Sequence, residues 1–155
     1  MLASIDRNTF PLCILNASAG SGKTFQLVLE YLSILLAPET PNKYKGIVAI
    51  TFTNKASSEM KTRIIDALFS IAKYDAVDCD NKTASIISRL QKKLSYKEQE
   101  IKKRASKSLK AILHGYEYFN VSTIDKFNLR LIKSFSNDLN LPAEFEVSLT
   151  EKEVL

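Results

Sequence analysis

Ala17-Ser18-Ala19-Gly20-Ser21-Gly22-Lys23-Thr24 is the stretch that decides how this chain folds. It matches the phosphate-binding pattern GxxxxGK[ST] except that Ala17 stands where the first glycine is usual. In a chain of this length such a match arises by chance on the order of one time in a hundred. The chemistry explains the residue types. Gly20 and Gly22 let backbone N–H groups curl around phosphate oxygens, and a helix beginning near Gly22 aims its positive end at them. Lys23 would neutralise the β and γ phosphates, and the Thr24 hydroxyl would ligate magnesium. The candidate nucleotide set is therefore Ala17, Ser18, Ala19, Gly20, Ser21, Gly22, Lys23, Thr24 and Phe25, with Lys23 and Thr24 as the catalytic pair and Thr24 as the metal ligand. The plain alternative is a serine-glycine turn joining a strand to a helix.

The flanks supply the context that the motif needs. LCILN at 12–16 reads as a short buried strand, and TFQLVLEYLSILLAP reads as a helix that Pro38 and Pro41 end. GIVAITF at 46–52 has the uninterrupted apolar pattern of an interior parallel strand. From Asn54 a helix follows with Ala56, Met60, Ile64, Ala67/Leu68 and Ile71 on one stripe. After the loop YDAVDCDN at 74–81 come two helical segments, the first with Ile86, Ile87, Leu90 and Leu94 on one face. The second opens with the capping-box pattern Ser95-Tyr-Lys-Glu98, keeps Ile101, Ala105, Leu109 and Ile112 on one face, and ends at Gly115. YFNVSTI at 118–124 predicts a further strand, and Phe127, Leu131 and Phe135 mark the helix after it; Pro142 then precedes a short FEVSL strand. Strands separated by helices predict an α/β fold, a parallel sheet with right-handed crossovers. Such sheets usually hold five or more strands, so the chain is expected to be the truncated N-terminal portion of a larger protein.

Composition narrows the class. The chain has 155 residues, 45% of them hydrophobic and 25% charged, with four Gly and four Pro, which fits one packed domain and not a disordered or fibrous chain. No run approaches the roughly 20 apolar residues of a membrane span. MLASIDRNTF lacks the order of a secretory signal, so no membrane association and a cytoplasmic location are expected. Cys13, Cys79 and the single His114 give no metal spacing or triad, and His114 beside Gly115 reads as the C-terminal residue of a helix. The net charge of +5 is uneven: residues 82–113 carry ten Lys/Arg against Glu98 and Glu100, a local +8 that leaves −3 elsewhere. That segment is either a surface for a polyanion such as nucleic acid or a solvated lysine-rich helical face.

Three segments in order, LNASAGSGKT at 15–24, AITFTNKASSEMKTRI at 49–64 and VSTIDKFNLRLI at 121–132, resemble the first three motifs of the UvrD/Rep branch of superfamily 1 DNA helicases. The flavour is that of the RecB and AddA helicase-nucleases. The resemblance covers about residues 12–70 and 118–150, and its first two motifs are the specific ones. It implies a partial RecA-like P-loop domain spanning 1–155, with a basic helical insertion at about 82–114, using ATP and Mg2+. It implies that Thr51, Phe52, Thr53, Asn54 and Lys55 touch single-stranded DNA, with Thr123 of the third motif on the backbone. Physics agrees for the second motif, because an aromatic at a strand tip offers a stacking face and the helix start behind it favours an anion. The alternative there is a buried Phe52 with Thr53 or Asn54 capping a helix.

The third motif departs from the family: Asp125 stands where histidine is usual and Lys126 where serine is usual. A carboxylate repels phosphate, which Lys126 offsets in part, and a reading of Asp125 as a magnesium-holding aspartate competes with the motif. No Asp-Glu pair follows residue 125, no second motor domain and no nuclease carboxylate cluster are present, and residues 1–11 contain no adenine-reading glutamine. The resemblance therefore implies the ATP-binding start of a DNA helicase used in recombination and double-strand-break repair. Its partners would be single-stranded DNA, a second RecA-like domain and a nuclease domain or companion subunit. By itself the chain is expected neither to hydrolyse ATP nor to unwind DNA. Two rivals are a non-catalytic nucleic-acid-binding module and a small P-loop kinase.

Overall fold

The computed structural model describes residues 22–38, 40–75, 80–136 and 138–139. The expected strands at 12–16 and FEVSL, and loop residues 17–21, lie outside these. Among the described residues seven α-helices and β-strands follow in order: helix α1 (Lys23–Leu36), strand β1 (Ala49–Thr51), helices α2 (Asn54–Ala72), α3 (Asn81–Leu94) and α4 (Glu98–His114), strand β2 (Val121–Thr123) and helix α5 (Ile124–Ser134). Among the described residues the sheet has two strands, and they are parallel, pairing Ala49 with Val121, Ile50 with Ser122 and Thr51 with Thr123. The α/β class and the parallel crossover expected from sequence are what the structure has.

The core is assembled from helix stripes. Leu32, Leu35 and Leu36 of α1, Met60, Ile64, Leu68 and Ile71 of α2, Leu90 of α3 and Ile101 and Ile112 of α4 are fully buried against one another. Each such side chain contributes about 1.5–3 kcal/mol by leaving water. α4 packs along α2 and α3 against α1, so the basic segment is part of this core and not an appendage. Its apolar stripe, Ile86, Ile87, Leu90, Ile101, Ala105 and Ile112, faces inward.

Four expectations are corrected. Both strands are three residues long, because 3₁₀ turns at Pro41–Gly46 and Tyr116–Tyr118 take up chain that the apolar pattern assigned to strand. Val48 and Ile50 are exposed, so the described part of the sheet does not cover β1 on both faces. Ala56 is exposed, and Ser57 takes the inward position on α2, donating to Val121 O at 3.3 Å. That carbonyl points away from β1, since Asn120 O beside it accepts from Ala49 N and carbonyls alternate along a strand. Ser95 does not cap α4; it ends α3 at φ 57, its N–H on Gln91 O at 2.8 Å, while α4 starts after Lys97 with no side-chain cap.

The far end of α1 is closed by α4. Arg104, whose side chain is 10% exposed, donates from Nη1 to Leu36 O at 3.1 Å and Ala37 O at 2.7 Å. Tyr96 Oη donates to Ala37 O at 2.6 Å, and the guanidinium lies 4.2 Å from the Tyr96 ring centre. These donors satisfy carbonyls that a helix C-terminus otherwise leaves open. Tyr44, buried in the turn before β1, donates towards Ala111 O at 3.1 Å and Gly115 O at 3.2 Å, tying that turn to the end of α4. None of the described helices is long and apolar enough to cross a membrane.

Candidate nucleic-acid and nucleotide site

The parallel register brings the second and third sequence motifs together. Thr51 and Thr123 lie side by side at the C-terminal ends of β1 and β2, so α2 and α5 both start from the same sheet edge. In open parallel sheets ligands bind at this edge. Each helix start is capped in the same way: Thr53 Oγ1 accepts from Ala56 N at 3.1 Å, and Thr123 Oγ1 accepts from Lys126 N at 3.4 Å. Thr51 Oγ1 lies 3.1 Å from Thr53 O and 3.5 Å from Ser122 O, which stiffens the turn between strand and helix.

Phe52 sits on that turn and is 88% exposed. The alternative of a Phe52 that completes the core is therefore not what the structure has, although the capping half of that alternative holds for Thr53. Asn54 and Lys55 are exposed on the first turn of α2 beside it. Thr123 is 4% exposed with its hydroxyl committed to the α5 cap, so what faces solvent at the start of α5 is Ile124, Asp125 and Lys126. His114 ends α4, with Nδ1 2.7 Å from Lys110 O, the helix-terminal place read from sequence.

At α1 the described residues are Gly22, Lys23, Thr24 and Phe25; Ala17, Ser18, Ala19, Gly20 and Ser21 lie outside them. Gly22 caps the helix at φ 77, a left-handed conformation that favours glycine, and having no side chain it leaves the first-turn N–H groups without a cap of its own. No acidic residue lies in that turn, and Lys23 and Thr24 are exposed on it. Helix dipole, first-turn N–H groups, a cation and a hydroxyl together fit a bound phosphate with its metal ion. Phe25 is partly buried against the core and carries the Arg89 guanidinium 5.3 Å from its ring centre.

Two groups of cations behave differently. Of the ten in 82–113, Arg104 caps α1, Lys93 pairs with Glu30 of α1 and Lys102 donates to Tyr74 O, so three of them hold the fold. A second group lies outside the basic segment: Lys61 of α2 with Lys126 and Arg130 of α5. Burial first, then the charges of Lys126 and Arg130, push the Lys61 amine below its usual 10.5. The signal was present, because 126, 130 and 133 are lysine or arginine at helical spacing.

The UvrD/REP helicase N-terminal domain family matches the chain over residues 7–154. RecBCD enzyme subunit RecB of Buchnera aphidicola subsp. Acyrthosiphon pisum is 41% identical over 78 residues, covering 46% of this chain and 6% of the relative. An ATP-dependent helicase/nuclease subunit of Clostridium acetobutylicum is 32% identical over 131 residues, 84% of this chain and 8% of that protein. The protein of the same name in Bacillus cytotoxicus is 28% identical over 140 residues, 90% of this chain and 9% of its own length. The chain thus spans less than a tenth of the length of these three relatives. No solved structure matches it.

Proposed function

This chain belongs to the UvrD/REP helicase N-terminal domain family, and on that premise we propose that it is the N-terminal portion of the first RecA-like motor domain of an ATP-dependent DNA helicase-nuclease of the RecB/AddA kind. Residues 17–24 cradle the nucleotide triphosphate. Lys23 neutralises its β and γ phosphates, and Thr24 holds the magnesium ion, which supplies charge neutralisation on the phosphates when bound. The single-stranded DNA substrate crosses the edge made by Thr51, Phe52, Thr53, Asn54 and Lys55, with Phe52 as the stacking face. Thr123 acts there through its cap, which sets the start of α5 beside that edge. The second motor domain, and a nuclease domain or companion subunit, complete the machine.

The observation that carries this reading is Phe52: a large aromatic 88% exposed at a strand tip, beside two helix starts capped by threonine. An apolar ring gains nothing by facing water, and a nucleic-acid base gives it a partner. The motor needs carboxylates that orient the attacking water, and the chain has no Asp-Glu pair after residue 125. By itself it therefore neither turns over ATP nor unwinds DNA. The test is binding of a fluorescent oligothymidylate followed by anisotropy. Base stacking on an aromatic is worth about 1–3 kcal/mol, so Phe52→Ala should weaken binding by about 5- to 150-fold. Unchanged affinity would contradict the stacking role, and magnesium-dependent ATP turnover that vanishes in Lys23→Ala would contradict the inactivity of the isolated chain.

A further inference from the structure

The sheet edge accounts for Phe52 and its neighbours but leaves a set of cations on the flank of the same domain without a task. Lys61 projects from the second turn of α2 and lies 5.1 Å from the centre of the Tyr116 ring. Lys126 opens α5, and Arg130 follows one turn later on the same stripe. Arg130 Nη1 donates to Asn120 Oδ1, while Asn120 Nδ2 donates to Lys45 O at 3.0 Å. The Lys45 amine in turn stands 4.4 Å from the centre of the Tyr118 ring. Lys45, Lys61 and Arg130 are thus fixed in place by two tyrosine rings and one asparagine, with Lys126 beside them. Long flexible side chains rarely hold one position, and each ring or amide contact here reduces the ordering cost of meeting a ligand.

The positions follow one line. Lys126 stands at the sheet edge that carries Phe52, because α5 begins there. Asn120 and Lys45 precede the opposite ends of β2 and β1, so the group runs from the C-terminal edge of the strands down the side of the sheet to the N-terminal edge. Two carboxylates adjoin the group in sequence, Asp125 on the first turn of α5 and Glu117 between Tyr116 and Tyr118, and both are exposed. Burial first, and then the like charges of Lys126 and Arg130, depress the Lys61 amine, and an anion would relieve that second, repulsive part. The ten basic residues of 82–113 make a poorer candidate, since three of them are turned onto carbonyls and a carboxylate of the fold itself.

We propose that Lys45, Lys61, Lys126 and Arg130 form a phosphate-binding track that carries the backbone of a nucleic-acid strand from the Phe52 edge down the α2–α5 flank. This rests on the reading of the Phe52 edge as the entry point. The rings of Tyr116 and Tyr118 steady Lys61 and Lys45, so the track reads charge and not base identity. Its signature is salt dependence: each phosphate neutralised on a single strand adds about 0.7 to the slope of log affinity against log salt.

The experiment measures oligothymidylate affinity of the full chain from 50 to 300 mM NaCl for four proteins: wild type, Lys61→Gln/Lys126→Gln/Arg130→Gln, Phe52→Ala, and Lys103→Gln/Lys107→Gln/Lys110→Gln. The last triple removes the same charge from the exposed side of α4. The track predicts that the first triple flattens the slope by about 2, three phosphates at about 0.7 each, while the α4 triple keeps the wild-type slope. Phe52→Ala should lower affinity at every salt with the slope kept. If the first triple keeps the wild-type slope while Phe52→Ala weakens binding, the track is overturned and the edge stands. If both triples flatten it equally, net charge and not a track is responsible. If wild type does not bind at 50 mM NaCl, track and edge fall together. Circular dichroism melts of all four confirm folding, since the exchanged residues lie outside the buried core.

Discussion

Replacing Arg104 by Met should cost this chain about 3 kcal/mol of stability, although sequence counts Arg104 as one more charge on a basic helix. Arg104 Nη1 donates to Leu36 O at 3.1 Å and to Ala37 O at 2.7 Å, and the side chain is nearly buried. Hydrogen bonds from a charged donor contribute about 1.5–3 kcal/mol each. Ala37 O keeps the Tyr96 hydroxyl at 2.6 Å after the substitution, so that loss is partial, whereas Leu36 O loses the Arg104 donor outright. Methionine retains the apolar stem, so little packing is lost. The bond from Arg104 Nε to Glu100 at 2.6 Å faces solvent and is left out of the sum. For a chain near 150 residues, 3 kcal/mol corresponds to a fall in Tm of about 6–12 °C. Urea denaturation followed by circular dichroism measures it directly. Arg104→Lys should recover less than half, because an ammonium cannot reproduce the planar fork. A loss below about 1 kcal/mol for Arg104→Met would refute the claim that this side chain closes the end of α1.

Gly115→Ala should also destabilise, by about 1–3 kcal/mol, because a Cβ there would lie 2.4 Å from Tyr44 Oη and force that hydroxyl off Ala111 O and Gly115 O. In the Tyr44→Phe background the same substitution should cost less, a coupling that a double-mutant cycle reads. The Glu100 carboxyl should titrate below its usual 4.5, chiefly because Arg104 donates to it. Its pKa is lowered on folding, so its contribution is present above the unfolded value and lost as pH falls through the folded one; NMR titration should show the depression reduced in Arg104→Met. Phe52→Ala should leave stability within about 0.5 kcal/mol of wild type, since the ring is exposed, and thermal melts check this.

What sequence made legible was periodic. The stripes of α2, α3 and α4 and the strand-helix order at both motifs follow from apolar spacing, and the structure repeats them at Ile64, Leu90 and Ile101. What it hid was competition between local signals. Ser95 satisfies a capping pattern for the helix after it, but the left-handed end of the helix before it took the residue. The apolar run at 46–52 was longer than the strand, because the described sheet offers β1 one neighbour and a turn claims Gly46. Charge was legible as a total and not as a direction. Arg104 flanks the buried stripe of Ile101, Ala105 and Ser108, and only the fold decides that it points at another helix's carbonyls. The same limit applied at the site: Phe52 and Lys126 were visible as motif residues, while Lys61 comes within reach of the Lys126 charge only in the fold.

Photocrosslinking tests the account most directly, because it reports position and not affinity alone. An oligothymidylate carrying 5-iodouracil would be irradiated with the chain at 50 mM NaCl, digested with trypsin and mapped by mass spectrometry. The account predicts attachment to the Gly46–Lys55 peptide, with Phe52 as the modified residue. Attachment confined to peptides from residues 82–114, with none at Phe52, would contradict it and make the basic helices the nucleic-acid surface.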